Sequence, residues 1–136
     1  MKICSAITTI ILGLFILSGC ASLKAPSNPA SLTSQKWMLV SAGATDAGSS
    51  GAYIEFGNAE GEVRGKAGCN GFGGNYKAEG NNLRLEGLMG TKMACPELDV
   101  ENAFFQALGD TERFEIKQNK LFLYQGDKLV ATLKVN

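Results

Sequence analysis

Short apolar stretches separated by glycine-rich turns are the feature that most restricts the fold of this chain. Seventeen of its 136 residues are glycine, and most of them lie between Gly43 and Gly90. Glycine that alternates with short apolar stretches is typical of many short strands joined by tight turns. The pattern therefore predicts a mainly β domain, which we expect to begin near Gln35 with a strand that contains Trp37.

Two hairpins are predicted in the glycine-rich part of the chain. The first has a turn at residues 57–61 and the second a turn at residues 79–81, both with glycine available for positive φ. The strands predicted on either side of these turns are Ala52–Phe56 with Glu62–Lys66, and Phe72–Ala78 with Asn82–Glu86.

The last part of the chain predicts a meander of three strands, Arg113–Lys117, Lys120–Tyr124 and Lys128–Val135. Apolar residues alternate along all three, so one face of each strand is expected to be buried. The residues placed on that face are Phe114, Ile116, Leu121, Leu123, Leu129, Ala131 and Leu133.

One segment, Pro96–Leu108, has the pattern of an amphipathic helix. Pro96 suits the first helical position, and Gly109 is expected to end the helix in a left-handed conformation. Val100, Ala103, Phe104, Ala107 and Leu108 form one apolar stripe. The predicted fold is a small α+β domain, in which a curled, mostly antiparallel sheet forms a partly open barrel packed on this helix.

The N-terminal segment has the layout of a signal peptide. Lys2 precedes an apolar run of about fifteen residues, which is shorter than the roughly twenty that a transmembrane helix needs. The run ends in Leu-Ser-Gly-Cys, which resembles the lipobox of bacterial lipoproteins. This resemblance predicts a signal peptide at residues 1–19, a lipid on Cys20, a flexible tether at 20–34 and the folded domain at 35–136. The lipid would attach the protein to the membrane, and Ala21 favours the outer membrane, facing the periplasm.

Composition excludes several functional classes. The 13 basic and 13 acidic side chains balance, so no basic surface for nucleic acid is indicated. The chain has no histidine, which removes the commonest general base and the commonest metal ligand. No catalytic residues, no metal site and no cofactor are therefore predicted.

Two motifs carry a resemblance to a known family. Their matching positions are Gly68, Cys69, Asn70, Phe72, Gly74 and Tyr76 in the first, and Thr91, Met93, Cys95 and Pro96 in the second. This combination resembles the META domain family, which includes the HslJ-like heat-shock lipoproteins. The resemblance covers almost all of the chain after the signal peptide. It implies a small α+β envelope domain associated with heat induction and novobiocin tolerance, with no catalytic residues to carry over.

Cys69 and Cys95 are the two thiols that remain when Cys4 is removed and Cys20 is acylated. An even pair in an oxidising compartment favours a disulfide, and two buried reduced thiols are the alternative. Asn70 is expected to tie a turn with its side-chain amide, and Phe72 and Tyr76 to share a sheet face.

The function that these observations favour is a non-enzymatic binding or interaction module of the envelope, with an unknown envelope protein as partner. An alternative is a carrier of a small apolar ligand, such as a lipid or drug-like molecule, in a groove lined by Trp37, Met89 and Met93. A third possibility is a hydrolase or thiol oxidoreductase that uses Cys69 or Cys95.

Overall fold

The computed structural model describes residues 30–33, 35–58 and 61–136. The predicted signal peptide, Cys20 and most of the predicted tether lie outside these residues. Two helices and nine strands follow in the order α1 Ala30–Thr33, β1 Lys36–Ala42, β2 Thr45–Asp46, β3 Tyr53–Phe56, β4 Glu62–Ala67, β5 Asn70–Glu79, β6 Asn82–Gly90, α2 Leu98–Asp110, β7 Arg113–Lys117, β8 Lys120–Gln125 and β9 Lys128–Val135.

The strands form one antiparallel sheet that closes into a ring. From β3 to β9, each strand pairs with the next one along the chain, and β1 pairs with both β3 and β9. The ring is uneven, because β6 and β7 share only the pair Asn82 and Arg113. The predicted α+β class and the curled antiparallel sheet are thereby confirmed, and the one narrow seam lies between β6 and β7.

Helix α2 connects β6 to β7 and packs against the sheet with the apolar stripe that its sequence predicts. Phe104, Ala107 and Leu108 are buried, while Val100 and Ala103 pack against the core from its margin. Helix α2 contacts strands from several parts of the ring, including β1, β4 and β8. Its opposite side, with Asn102, Gln106 and Gly109, is exposed.

The ends of α2 differ from the prediction. Pro96 precedes the helix, and Gly109 lies inside it instead of ending it in a left-handed conformation. The residue after the helix, Thr111, has extended backbone (φ −67°, ψ 126°), and its hydroxyl donates to the Ala107 carbonyl at 2.7 Å. A threonine side chain thus satisfies one of the carbonyls that the helix end leaves unpaired.

Strand β9 departs from the predicted alternation. Its register against β8 shifts between the pairs Leu123–Ala131 and Tyr124–Leu129, so Val130 is an extra residue in a β-bulge. As a result Val130 and Ala131 are both buried, and Leu129 is 46% exposed although it was predicted on the buried face.

The fold also begins earlier than Gln35, where the sequence predicted it. Leu32 of α1 is fully buried, and its carbonyl accepts a hydrogen bond from the Trp37 indole nitrogen at 3.1 Å. Residues 30–33, predicted as part of the tether, therefore belong to the folded domain. No helix among the described residues has the length and apolar character needed to cross a membrane.

Candidate functional site

A disulfide joins Cys69 to Cys95, with the two Cα atoms 6.2 Å apart. Cys69 lies in the turn between β4 and β5, and Cys95 lies in the segment of residues 91–97 that leads from β6 to α2. The predicted bond is confirmed, and the alternative of two reduced thiols is wrong. Closing a loop of this length contributes about 3 kcal/mol to stability in the chain-entropy model.

Asn70, next to the disulfide, fixes the same segment with its side chain. It is only 1% exposed. Its Oδ1 accepts bonds from the Thr91 hydroxyl at 2.9 Å and the Met93 backbone N–H at 2.8 Å. Its Nδ2 donates to the Met93 carbonyl at 3.0 Å and to the buried Glu101 carboxylate of α2 at 2.8 Å. All of the amide's polar atoms are therefore satisfied, and Asn70 connects β5, the 91–97 segment and α2.

Two glycines let the backbone of this region pack closely. Gly68 has a φ of +65°, and a Cβ there would lie 3.0 Å from the Glu97 carbonyl oxygen. A Cβ at Gly90 would lie 3.1 Å from the Phe105 ring. A side chain at either position would push the 91–97 segment or α2 away from the sheet.

The aromatic motif residues of β5, Phe72 and Tyr76, pack against other aromatic side chains of the core. Phe72 makes an edge-to-face contact with Phe104 of α2, with ring centroids 6.0 Å apart. Tyr76 makes a similar contact with Phe56 at 5.0 Å, and its hydroxyl donates to the Gly57 carbonyl at 3.1 Å. Burial raises the pKa of Tyr76. The prediction that Phe72 and Tyr76 share a sheet face agrees with these contacts.

Gly74 completes the first motif and is also a packing position. A Cβ there would lie 2.8 Å from the Leu88 side chain and 3.0 Å from the Glu86 carbonyl oxygen. The glycine is therefore explained by the close approach of β6.

The structure does not bring together the three residues of the predicted apolar groove. Trp37 is completely buried in the core, whereas Met89 is 78% and Met93 is 59% exposed on the surface. A cavity does lie between α2, β9 and the β1–β2 turn, but it measures only about 180 Å³ and includes the polar residues Gln106, Asp110 and Lys128. Small-molecule sites usually measure about 300 to 1,000 Å³.

Instead, the structure exposes apolar side chains on and beside the 91–97 segment, which is held in place by the disulfide and Asn70. We call Met89, Met93 and Leu98 the methionine surface. Leu98, the first residue of α2, is 48% exposed. Neighbouring Lys92 is also exposed. The surface thus follows the 91–97 segment from the end of β6 to the start of α2.

One cluster of possible metal ligands occurs among the described residues. The sulfur atoms of Cys69 and Cys95 and a Glu101 carboxylate oxygen lie within 4.8 Å of one another. Because the two sulfurs are bonded to each other and the carboxylate accepts from Asn70, this cluster does not offer thiolate ligands.

The structure also has a second concave region, which was not predicted from the sequence. An open groove of about 570 Å³ lies over the end of β3, the start of β4 and the middle of β5. Its charged residues are Lys36, Glu55, Glu62 and Arg64, and Gly73 forms part of its floor. The alternating charges in the first predicted hairpin were the available signal, but their grouping depends on the pairing of several strands.

Comparisons with known proteins agree with this architecture. The model of the META domain family matches residues 30–136. A protein solved by NMR is 24% identical, with 80% of this chain and 95% of the other aligned and a TM-score of 0.63. An NMR structure from Burkholderia xenovorans is 22% identical over 82% and 90% of the two chains, with a TM-score of 0.64.

A crystal structure of a DUF4847 family protein from Bacteroides vulgatus has the same fold. It is 18% identical, covers 77% of this chain and 94% of its own, and has a TM-score of 0.59. No curated protein matches the chain significantly.

Proposed function

Because the chain belongs to the META domain family, we propose that it is a non-enzymatic binding module of the bacterial cell envelope. In this proposal a lipid on Cys20 anchors the chain, on the periplasmic side of the outer membrane, and the folded domain binds an envelope protein through the methionine surface. The resemblance to heat-shock lipoproteins supports a role in tolerance of heat or antibiotic stress.

The observation that carries the binding role is the fixation of the 91–97 segment. The segment has no helix or strand, yet the Cys69–Cys95 bond and three hydrogen bonds of Asn70 hold it. Holding a segment rigid before binding reduces the entropy lost on association. Methionine is also enriched at binding surfaces because its flexible side chain adapts to a partner.

The non-enzymatic role is supported by the chemistry of the thiols and by the composition. Cys69 and Cys95 are bonded to each other, which leaves neither as a nucleophile, and the chain has no histidine to act as a general base.

A photo-crosslinking amino acid placed at Met93 tests the binding role in intact cells. We expect a discrete crosslinked protein adduct from position 93. The matched control is the same amino acid at Leu129, which is similarly exposed but lies in β9, outside the methionine surface. Equal adducts from both positions, or none from position 93, would contradict the proposal.

The anchor is tested by the intact mass of the protein purified from membranes. We expect cleavage before Cys20 and an added acyl mass, both lost in the variant Cys20→Ser. An unmodified and uncleaved N-terminus would contradict the proposed location.

A further inference from the structure

We propose that the 91–97 segment receives an extended peptide of the partner protein as an added β-strand, which pairs with the backbone of Lys92 and Ala94 in antiparallel orientation. This inference rests on the function proposed above and names the kind of partner that binds at the methionine surface. The partner peptide is extended, with apolar residues at alternate positions and an acidic residue between them.

The side chain of Asn70 takes the place of a neighbouring strand beside Met93. Its Oδ1 accepts from the Met93 N–H at 2.8 Å, and its Nδ2 donates to the Met93 carbonyl at 3.0 Å. One carboxamide reaches both groups because they point to the same side, as they do in a hydrogen-bonded pair of an antiparallel sheet. Asn70 is the first residue of β5, so its side chain continues the pairing of β5 with β6 beyond Gly90, the last residue of β6.

The backbone before Met93 has the same alternation. The Thr91 N–H donates to the Gly71 carbonyl of β5 at 3.0 Å. Backbone groups of successive residues in an extended chain point to opposite sides, so those of Lys92 and Ala94 point away from β5. Both residues are exposed, and no backbone hydrogen bond of either occurs among the described residues. Lys92 and Ala94 therefore form a free strand edge.

This free edge is suited to an added strand because it is rigid as well as exposed. Unpaired backbone groups at the edge of a sheet are a template for another extended chain. The disulfide at Cys95 and the amide of Asn70 hold the edge in place on both sides of Ala94. A partner strand thus gains backbone hydrogen bonds without the entropic cost of ordering this segment.

The side chains along the edge define the chemistry of the added strand. Met89 and Met93 are four residues apart in the extended chain, so they lie on one face, and Lys92 lies on the other. Apolar side chains of the added strand can pack beside the methionines. The Lys92 ammonium has no ion-pair partner within the described parts of the chain, and it favours a carboxylate on the residue opposite. Pairing with the same edge of a second copy, centred on Lys92, would instead bring two ammonium groups together.

The probe for the test is the synthetic peptide acetyl-Thr-Val-Glu-Val-Thr-amide, titrated into the full-length protein while amide chemical shifts are followed by NMR. In the proposed register its glutamate lies opposite Lys92, and its two valines lie opposite Thr91 and Met93. We expect saturable shifts centred on the Lys92 and Ala94 amides, and slower hydrogen exchange at both, because each gains a hydrogen bond to the peptide.

Two N-methylated forms of the peptide are the matched pair. A methyl group on the glutamate nitrogen removes the N–H that faces Lys92, and it should weaken binding at least about tenfold. A methyl group on the nitrogen of the second valine replaces an N–H that faces away from the protein, and it should change the affinity by less than about twofold.

A second pair changes the protein. Ala94→Pro removes the outward N–H and should weaken binding at least about tenfold, whereas Ala94→Ser keeps it and should bind as the wild type does. Wild-type chemical shifts at Asn70 check that the proline variant keeps the fold. The methylated peptides are tested on the wild-type protein, so their result does not depend on this variant.

The outcomes separate this inference from the function on which it rests. Absence of saturable shifts, shifts centred away from Lys92 and Ala94, or equal binding of the two methylated peptides would overturn the strand addition, even when position 93 gives a crosslink in cells. Peptide binding at the free edge without a crosslink from position 93 would support the strand addition and contradict the role with an envelope protein.

Discussion

The side chain of Asn70 connects parts of the chain that are far apart in sequence. Its partners Thr91, Met93 and Glu101 lie 21 to 31 residues away. Truncation to alanine would leave the Met93 N–H and the buried Glu101 carboxylate without their partner.

We therefore expect Asn70→Ala to lower the free energy of unfolding by about 3 kcal/mol, measured by urea denaturation with the disulfide intact. Asn75→Ala is the control, because Asn75 is exposed on the same strand. Asn75→Ala should change the free energy of unfolding by less than about 0.5 kcal/mol. Equal costs for the two variants would show that the Asn70 hydrogen bonds contribute no net stability.

Replacing either of two glycines of the sheet by alanine should change the stability of the protein, but in opposite directions. At Gly65 a Cβ would overlap the Tyr53 carbonyl and the Phe72 ring, whereas at Gly71 it would meet only one atom, 3.9 Å away. We expect Gly65→Ala to destabilise the protein by about 2 kcal/mol or more. Gly71→Ala should stabilise it by about 0.5 kcal/mol, because glycine in a strand costs backbone entropy. Thermal unfolding of both variants measures the difference, and a loss of stability in Gly71→Ala would contradict this account.

Tyr76 makes the stability of the protein depend on pH in the alkaline range. Because burial raises its pKa in the folded state, the folded protein keeps this proton at pH values where the unfolded chain loses it. This contribution to stability is complete below about pH 10 and declines as the pH rises towards the folded-state pKa.

The variant Tyr76→Phe should lose this part of the pH dependence. Ultraviolet titration of the folded wild type should show a tyrosine that ionises above the usual range, and the variant should lack that component. An unchanged high-pH component in the variant would mean that another tyrosine is responsible.

At the scale of the helices and strands, replacing Gly109 in helix α2 by alanine tests whether this residue is helical, because the two possible conformations predict opposite changes in stability. The residue is helical, and nothing lies within 4 Å of where its Cβ would be. We expect Gly109→Ala to raise the free energy of unfolding by about 0.5 to 1 kcal/mol. If Gly109 instead ended the helix with positive φ, as its sequence position suggested, alanine would destabilise the protein. Chemical denaturation distinguishes these outcomes.

The elements that the sequence predicts well are those with local signals. Turns at Gly61, Gly80 and Gly126 have the positive φ that a tight turn uses, and they place the strand boundaries within a few residues. The bulge at Val130 was not predictable, because it arises where β9 pairs with both β1 and β8, and a run of apolar residues fits either register.

The same limit applies to the candidate sites. Composition and the predicted compartment were enough to favour the Cys69–Cys95 bond, and the motif indicated that Asn70 ties a turn. The partners of Asn70, by contrast, lie in segments that only the tertiary fold brings together. The groove residues Lys36 and Arg64 depend on strand register in the same way, so the alternating charges of the first hairpin do not by themselves show that these two residues lie together.

At the scale of the whole molecule, the ring of strands has one weak position. Around the single pair that joins β6 to β7, the backbone bonds are Leu83 N–H to the Glu112 carbonyl at 3.0 Å and Phe114 N–H to the Asn81 carbonyl at 2.8 Å. Strands β1 and β9, in contrast, pair from Trp37 to Ala42.

Native-state hydrogen exchange should therefore detect an opening at this seam that requires less free energy than global unfolding. We expect the Leu83 and Phe114 amides to exchange at least about tenfold faster than the Leu39 amide, which lies in β1 and bonds the Ala52 carbonyl at 2.8 Å. Equal protection at these three positions would mean that the ring opens only as a whole.

The pairing of β1 with β9 also has a consequence for how the domain can be joined to other chains. Trp37 lies opposite Val135, and the backbone N–H of Asn136 donates to the Lys36 carbonyl at 3.2 Å. The first strand and the last residue are thus neighbours in space. A short peptide linker from Asn136 to the start of α1, whose Leu32 carbonyl accepts from Trp37, would permit circular permutation, with new termini cut at the Gln118–Asn119 turn. A reporter protein fused after Asn136 would emerge beside the point where the preceding chain enters the barrel.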